Sequence, residues 1–337
     1  MKFLDGCNRS CVFCVNEDHI GKRINPLDAN LFRQSLFDLI DDPVETEKPY
    51  GTGGEPLMAL DLVDTMFRPL SERGIATRLV TNGKLLTNKR ADRLVDMRLA
   101  GVKVTYNTLQ SERMHALMKG ARDNDTTRIL DNIKNAKDAG SWIFVRMGFG
   151  RHNADEAPAI YRTMREIGVD VVQFKPWILF GLAAENPSEL SLVTRQLYEA
   201  FARVMEELHE ELEAPGAPEV TISCYPPARD PGFVVKDCAN VVKIYCEPCG
   251  HAMICNFADE YLGSLFAEEG GLTTCVRRRR EIYHDIVDEH GIASYPARLN
   301  WSSTAGVVNP VPGWKRNLEL ESRAPVALLQ TRSATRQ

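Results

Sequence analysis

The sequence lacks three features that would each assign it to a broad class of proteins. No apolar run in its 337 residues approaches the roughly 18 needed to cross a bilayer, and the short stretch before Cys7, which carries Asp5, does not resemble a signal peptide. It has no excess of basic charge either, with 41 Lys and Arg against 46 Asp and Glu. We therefore expect a cytoplasmic protein that binds neither membranes nor nucleic acid.

Cysteine is absent from residues 15–223, although the chain has nine cysteines. Three lie within the first 14 residues and six between positions 224 and 275. A disulfide framework is usually even-numbered and spread along a short secreted chain. Clustered cysteines in a reducing compartment are more often metal ligands, so the distribution predicts metal binding near both ends of the sequence.

Strand and helix patterns alternate between the two cysteine groups. Strands are predicted at 77–81, 102–106, 142–147 and 169–174, and helices at 60–70, 88–98, 126–139, 157–167 and 190–212. Such repeats imply parallel strands joined by right-handed crossovers. With Lys2–Leu4 and a strand near residue 50 there are about six units, fewer than the eight of a closed barrel. We predict an α/β fold, a partial (β/α)6 barrel.

The composition changes at residues 214–218, Ala-Pro-Gly-Ala-Pro, which indicates a linker. We expect the barrel at 1–213, followed at 214–303 by a small C-terminal cysteine-rich appendage built from a β-hairpin and a helix. Strands are predicted there at 220–223 and 241–245 and a helix at 274–289. Residues 304–337 have little periodicity and are expected to form a tail.

The first cysteine group has the spacing Cys7-x3-Cys11-x2-Cys14 and follows the first predicted strand directly. In β/α barrels, active sites are built at the carboxyl ends of the strands. Three thiolates leave one iron of a four-iron cube without a protein ligand, and an open position is typical of a catalytic site. A zinc-binding loop is the alternative.

This spacing resembles the hallmark of the radical S-adenosylmethionine (SAM) superfamily. The resemblance implies that the three cysteines hold a [4Fe–4S] cluster whose open iron binds SAM. Reduction then cleaves SAM to a 5′-deoxyadenosyl radical. A reducing partner such as flavodoxin or ferredoxin is implied as well.

Other elements of residues 1–185 are similar to the same family. Gly51-Thr-Gly-Gly-Glu-Pro56 resembles its Gly-Gly-Glu-Pro element, which contacts the SAM amino group. The residue types suit that role, because glycines permit close backbone approach and a carboxylate binds an ammonium group. The resemblance implies SAM-binding roles for Gly53, Gly54, Glu55, Asn82, Asn107 and Arg146. The segment 106–110 departs from the family's Ser-x-Asp-like element, and His115 and His152-Asn153 are weaker candidates.

The second cysteine group resembles the twitch or SPASM appendage of such enzymes, which holds auxiliary clusters, with a hairpin turning near Cys249-Gly250. Two ligand assignments remain open. Alignment on the hairpin selects Cys224, Cys238, Cys255 and Cys275. Spacing selects Cys246, Cys249, Cys255 and Cys275. One auxiliary [4Fe–4S] cluster is expected, because Asp259 occupies the place of a further cysteine.

The expected reaction is abstraction of a hydrogen atom from a sugar, aminocyclitol or sugar nucleoside in natural-product (antibiotic) biosynthesis. Dehydrogenation, epimerisation and decarboxylation all fit. A peptide-modifying maturase is the alternative, disfavoured here because Cys7 lies so near the first residue that a leader-binding domain has no room before it. A non-catalytic zinc adaptor is the other alternative. The sequence does not indicate an oligomeric state, and a homodimer is expected only because it is the commonest state among oligomers.

Two further features have a structural and a functional interpretation. Arg277–Arg280 covers every face of a helical turn, so it is either a solvated surface or supplies one arginine to a substrate anion. Trp177, which follows the last strand of the predicted barrel, either stacks on a sugar or base or packs in the core.

Overall fold

The computed structural model describes residues 2–14, 50–177, 182–185, 194–222, 244–253, 261–267 and 271–290, with the isolated residues 28, 34, 190 and 192. The predicted ligands Cys224, Cys238 and Cys255 lie outside these ranges, as do Asp259 and the tail at 304–337. Among the described helices, none combines the length and the apolar character that a bilayer crossing demands.

The described strands and helices are numbered in chain order. The strands are β1 Ser10–Cys11, β2 Tyr50–Gly51, β3 Arg78–Thr81, β4 Gly101–Thr105, β5 Met118–Lys119, β6 Ile143–Phe149, β7 Val171–Pro176, β8 Glu219–Ile222, β9 Tyr245–Cys246, β10 His251–Met253 and β11 Tyr261–Ser264. The helices are α1 Leu60–Glu72, α2 Asn88–Asp96, α3 Ser111–Leu117, α4 Asp125–Asp138, α5 Ala157–Ile167, α6 Leu182–Glu185, α7 Thr194–Leu212 and α8 Gly271–His290.

Six parallel strands form the main sheet, in the order β2-β3-β4-β6-β7-β8. Each crossover between neighbours contains a helix, as parallel pairing requires. The predicted α/β partial barrel is confirmed. The first predicted strand contributes a single parallel bridge, between Lys2 and Thr52, at the β2 edge.

The two faces of the sheet differ in burial. On β6, Ile143 and Val145 are fully buried, whereas Phe144 and Arg146 are partly buried. A Cβ on Gly83 would meet both Val104 of β4 and Ile129 of α4, so the buried face is the one that the helices cover. The other face carries the partly exposed side chains of the barrel interior.

The sheet extends past the predicted linker. Residues 220–223 were expected in the appendage, but β8 pairs in parallel with β7 from Val171↔Glu219 to Phe174↔Ile222. The long helix α7 makes the crossover, and the segment at 214–218 is the ordinary turn that joins it to β8. The strand β8 is only four residues long, and its sequence alone does not indicate which sheet it joins.

The appendage follows the prediction more closely. Strands β9, β10 and β11 form an antiparallel sheet, and the turn between β9 and β10 contains Cys249 and Gly250 as expected. Helix α8 packs against β11, where a Cβ on Gly263 would lie 3.2 Å from Cys275 Sγ. The backbone N–H of Lys2 donates to the carbonyl of Cys246 at 2.8 Å, which joins the appendage to the amino-terminal segment.

Candidate functional site

The cysteine loop, residues 7–14, is held in place along its length. Its two-residue strand β1 pairs antiparallel with β5, through Ser10↔Lys119 and Cys11↔Met118. The backbone N–H of Val12 donates to Leu117 at 3.0 Å. At the end of the loop, the N–H of Leu182 donates to the Cys14 carbonyl at 3.0 Å. The sequence did not predict β5 or α3, because elements this short leave no periodic pattern in the sequence.

The three thiols of this loop form no disulfide, are partly buried and lie close enough to influence one another. Burial raises the pKa of Cys7 to about 11, and negative charge at Glu55 and Cys14 adds to the shift. Burial also raises the pKa of Cys11, with contributions from the charges of Cys14 and Cys7. Three converging thiolates that repel one another are a donor set suited to a positively charged iron centre. The residues present therefore fit a cluster with three protein ligands.

Asn82 lies directly beside this loop. Its Nδ2 donates to Asn8 Oδ1 at 2.7 Å and lies 3.9 Å from Cys7 Sγ, while its Oδ1 accepts from the N–H of Lys84 at 3.0 Å. The structure thus brings Asn82 to the first cysteine. Its predicted contact with SAM stays a prediction.

Gly53 and Gly54 run alongside the segment that leads into the loop. The N–H of Gly54 donates to the Leu4 carbonyl and that of Glu55 to the Gly6 carbonyl, both at 2.9 Å. A Cβ on Gly54 would overlap the carbonyl group of Gly6. These glycines are therefore needed to let two backbone segments pack together, a reason the sequence did not reveal.

Glu55 is fully buried and joins this segment to the end of β3. Its Oε1 accepts from the Thr81 hydroxyl at 2.7 Å and the Leu57 N–H at 3.0 Å, and its Oε2 accepts from the Asn82 N–H at 2.8 Å. Burial raises the pKa of Glu55, and these hydrogen bonds oppose the shift. The carboxylate thus fixes the backbone next to the cysteine loop, whatever further contact it makes with an ammonium group.

We expect Gly54→Ala to destabilise the protein by about 3 kcal/mol or more, because the new methyl group overlaps backbone that cannot move aside. Urea unfolding measures the loss. Gly120→Ala is the control, since it has a positive φ but open space around it and should cost only about 1–2 kcal/mol. Equal losses for the two variants would show that the close approach at Gly54 is unimportant.

Asn107 and Asn153 fasten the loop after β6 to the end of β4. Asn107 is fully buried, and its Oδ1 accepts from the Gly148 N–H at 2.8 Å. Asn153 Nδ2 donates to the carbonyls of Asn107 and Gly148, both at 2.7 Å, and its Oδ1 accepts from Gly150. Asn107 Nδ2 is buried and has no hydrogen-bond partner within the described ranges, which leaves one donor for a ligand.

Arg146 projects from β6 beside Lys103 of β4 and Gln173 of β7. Arg146 Nε and Lys103 Nζ both donate to Gln173 Oε1, at 3.1 and 3.0 Å. Lys103 Nζ also lies 3.6 Å from the centroid of the Phe144 ring. The sequence singled out Arg146 but not Lys103, although strand alternation places both on the partly exposed face of the sheet.

Trp177 forms an aromatic wall with Phe13, next to Cys14. The two ring centroids are 4.4 Å apart, and the indole covers the end of β6 and the turn after it, where Gly148 and Gly150 leave room for it. Its Nε1 is buried, and no acceptor for it occurs in the part of the chain that the structure describes. Trp177 therefore packs on the barrel and borders the cysteine loop, whereas its stacking on a sugar or base stays a prediction.

The described cysteines of the appendage fall into two environments. Cys246 and Cys275 are both buried. Burial is the main cause that raises the pKa of Cys246, and the negative charge of Cys275 raises it further. Cys249 is exposed. Burial, followed by the negative charges of Glu247 and Asp5, raises the pKa of Tyr245, which precedes Cys246.

Two weaker candidates from the sequence are His115 and the run Arg277–Arg280. His115 Nε2 lies 3.3 Å from Asp123 Oδ1 on an exposed stretch, so the structure does not bring it to the cysteine loop. Of the four arginines, Arg277 and Arg278 are exposed and Arg279 is buried, in agreement with the expectation that they cover different helix faces.

Comparison with known proteins finds similarity to one superfamily over just under half of the chain. The family model of the Radical SAM superfamily matches residues 1–164. The PqqA peptide cyclase of Bradyrhizobium diazoefficiens is 25% identical over 207 residues, which are 61% of this chain and 53% of that protein. A GTP 3′,8-cyclase of Listeria monocytogenes is 25% identical over 201 residues, 58% of each protein. The chain thus spans little more than half the length of these curated relatives.

The solved structure of anSMEcpe with bound AdoMet and Kp18Cys peptide has a similar fold. Its TM-score is 0.61 at 13% identity, covering 96% of this chain and 98% of that one. At this identity the likeness bears on the fold alone, and it extends over both the barrel and the appendage.

Proposed function

We propose that this chain is a radical SAM enzyme in which Cys7, Cys11 and Cys14 hold the [4Fe–4S] cluster, because the Radical SAM superfamily model matches residues 1–164. That cluster and SAM are the cofactors of the superfamily, in agreement with the expectation. The observation that carries the proposal is the convergence of three thiols, none of them in a disulfide, on a loop fixed by β1, β5 and α6. When bound there, the cluster and SAM supply a radical that removes a hydrogen atom from a carbon atom.

The surrounding residues supply binding, orientation and exclusion of water. Phe13 and Trp177 form an apolar wall beside Cys14. Arg146 and Lys103 give the barrel interior positive charge suited to a carboxylate or phosphate. Asn107 Nδ2 offers a buried donor at the end of β4. A flavodoxin- or ferredoxin-type reductant stays a prediction.

We propose a peptide as the substrate class. This revises the expectation of a carbohydrate-type molecule, for which the comparisons give no support. PqqA peptide cyclase acts, by its name, on a peptide, and the anSMEcpe structure that matches nearly the whole chain contains one. The sequence argument against a peptide rested on where the chain begins, which is no evidence about its substrate.

A nucleotide is the second candidate substrate. The GTP 3′,8-cyclases are the relatives that favour it, and the cationic pair Lys103 and Arg146 suits a phosphate group. Dehydrogenation, epimerisation or decarboxylation of a sugar in antibiotic biosynthesis has no such observation behind it.

The appendage is proposed to hold one auxiliary [4Fe–4S] cluster. Cys255 and Cys275 are ligands in both assignments from the sequence, and of these two Cys275 lies in the described part of the chain. Its burial next to Cys246 suits a cluster shielded from water.

The substrate class is tested by the transfer of deuterium into 5′-deoxyadenosine. Anaerobically reconstituted enzyme is incubated with SAM, dithionite and one deuterated pool at a time: peptides from a proteome digest, GTP, or glycosides. We expect label from the peptide pool. Label from GTP alone would establish the nucleotide alternative, and label from glycosides alone would reinstate the sugar. Failure to form any 5′-deoxyadenosine would refute the enzyme assignment itself.

A further inference from the structure

The turn of the appendage hairpin gathers three different metal-binding side chains. Glu247, Cys249 and His251 each place one ligand atom so that all three atoms lie within 4.8 Å of one another. Cys249 Sγ is 3.8 Å from Glu247 Oε2. Ligand atoms that share one tetrahedral zinc ion lie roughly 3.5 Å apart, so a small side-chain rotation brings this set to coordination distance.

We propose that Glu247, Cys249 and His251 bind a single divalent ion of the zinc class. One thiolate, one imidazole and one carboxylate form a mixed set of sulfur, nitrogen and oxygen donors, which suits a borderline ion such as Zn²⁺. An iron–sulfur cluster favours thiolates throughout. Three protein ligands leave a fourth position for water or another group.

Backbone hydrogen bonds of the hairpin turn and contacts with neighbouring side chains hold these ligands in place. The N–H of Glu247 donates to the His251 carbonyl and the N–H of Gly250 donates to the Glu247 carbonyl, both at 2.9 Å. The His251 ring meets Tyr261 edge-on, with centroids 5.2 Å apart. Lys2 Nζ approaches Glu247 Oε1 at 4.0 Å, while Oε2 is the oxygen nearer the thiol. Glu247 can therefore face Lys2 with Oε1 and bind the ion beside the Cys249 thiol with Oε2.

This site differs in environment from the buried pair Cys246 and Cys275. Cys249 is exposed on the turn, whereas both members of the pair are buried. The proposal removes Cys249 from the auxiliary-cluster ligands and thereby favours the assignment through Cys224, Cys238, Cys255 and Cys275. It does not depend on the enzyme assignment, because zinc binding here requires no SAM.

The test is equilibrium dialysis of the reconstituted full-length protein against buffered zinc, with zinc and iron counted per chain. We expect one zinc in addition to the iron. Cys249→Ser and His251→Gln should each weaken zinc binding by at least about tenfold without changing the iron content. Zinc K-edge X-ray absorption should report one sulfur neighbour among nitrogen and oxygen. His209→Gln, an exposed histidine elsewhere, is the control and should leave zinc binding unchanged.

Three results would overturn the proposal. Loss of iron in Cys249→Ser would make this cysteine a cluster ligand instead. Unchanged zinc binding in both variants would place the ion elsewhere. Three or four sulfur neighbours would mean that zinc had entered a cysteine cluster site. Formation of 5′-deoxyadenosine is measured in the same samples, so failure of the zinc site and failure of the enzyme assignment are separable.

Discussion

Replacing Cys14 with serine should abolish SAM cleavage and remove about four iron atoms per chain. A cube held by three thiolates loses a ligand that serine does not replace at neutral pH. The cofactor carries the difficult chemistry, so we expect the rate of 5′-deoxyadenosine formation to fall on the order of a thousandfold or more. The measurements are iron content, the absorption of the reduced and oxidised protein, and 5′-deoxyadenosine by chromatography.

Ser10→Ala is the matched control for that variant. It changes a side chain in the same loop and leaves the backbone pairing of β1 with β5 in place. It should keep its iron and most of its activity. If Cys14→Ser also kept both, Cys14 would not be a cluster ligand and the assignment of this loop would be wrong.

Asp125→Asn should destabilise the protein by about 3–5 kcal/mol, because it leaves a buried cation without its partner. Arg9 Nη1 lies 2.6 Å from Asp125 Oδ2, and neither side chain is exposed. Lys84 Nζ adds a second cation at 3.4 Å. Arg9 lies within the cysteine loop and Asp125 begins α4, so the pair anchors that loop to the barrel. Urea unfolding measures the loss.

Asp138→Asn, on the same helix, is the control for that variant. Its carboxylate is 2.6 Å from Lys134, but both side chains are about 60% exposed, so the change should cost no more than about 0.5 kcal/mol. Comparable losses for the two variants would contradict the anchoring role of the buried pair.

The effect of Asp125→Asn should depend on pH. Burial alone would raise the pKa of Asp125, but the Arg122 N–H and the Arg9 guanidinium outweigh burial and lower it. A lowered folded-state pKa contributes stability above the unfolded value of about 3.9, and this stability is lost as the pH falls through the folded-state value. The difference between the wild type and Asp125→Asn should therefore shrink below about pH 4. A difference that grew on acidification would contradict this sign.

Elements with a strong periodic pattern were predictable from the sequence. The helix Ala157–Ile167 appears with the predicted bounds, and the cysteine loop follows the first segment as expected. The environment of Glu55 was not predictable, because its partners Thr81 and Asn82 lie on another strand. The Arg9–Asp125 pair joins residues 116 apart and leaves no local signal. Sequence patterns report local periodicity, whereas these contacts arise only once the barrel has formed.

The attachment of the cysteine loop at β5, α3, α6 and Asp125 has a consequence for how the protein matures. The backbone around the thiols is ordered by hydrogen bonds and an ion pair that involve no metal. In zinc fingers, by contrast, the ion drives the chain to fold. From these contacts we expect the ligand loop to lose its conformational entropy when the barrel folds. Insertion of iron and sulfide can therefore follow synthesis as a separate event, on a scaffold that is already preorganised.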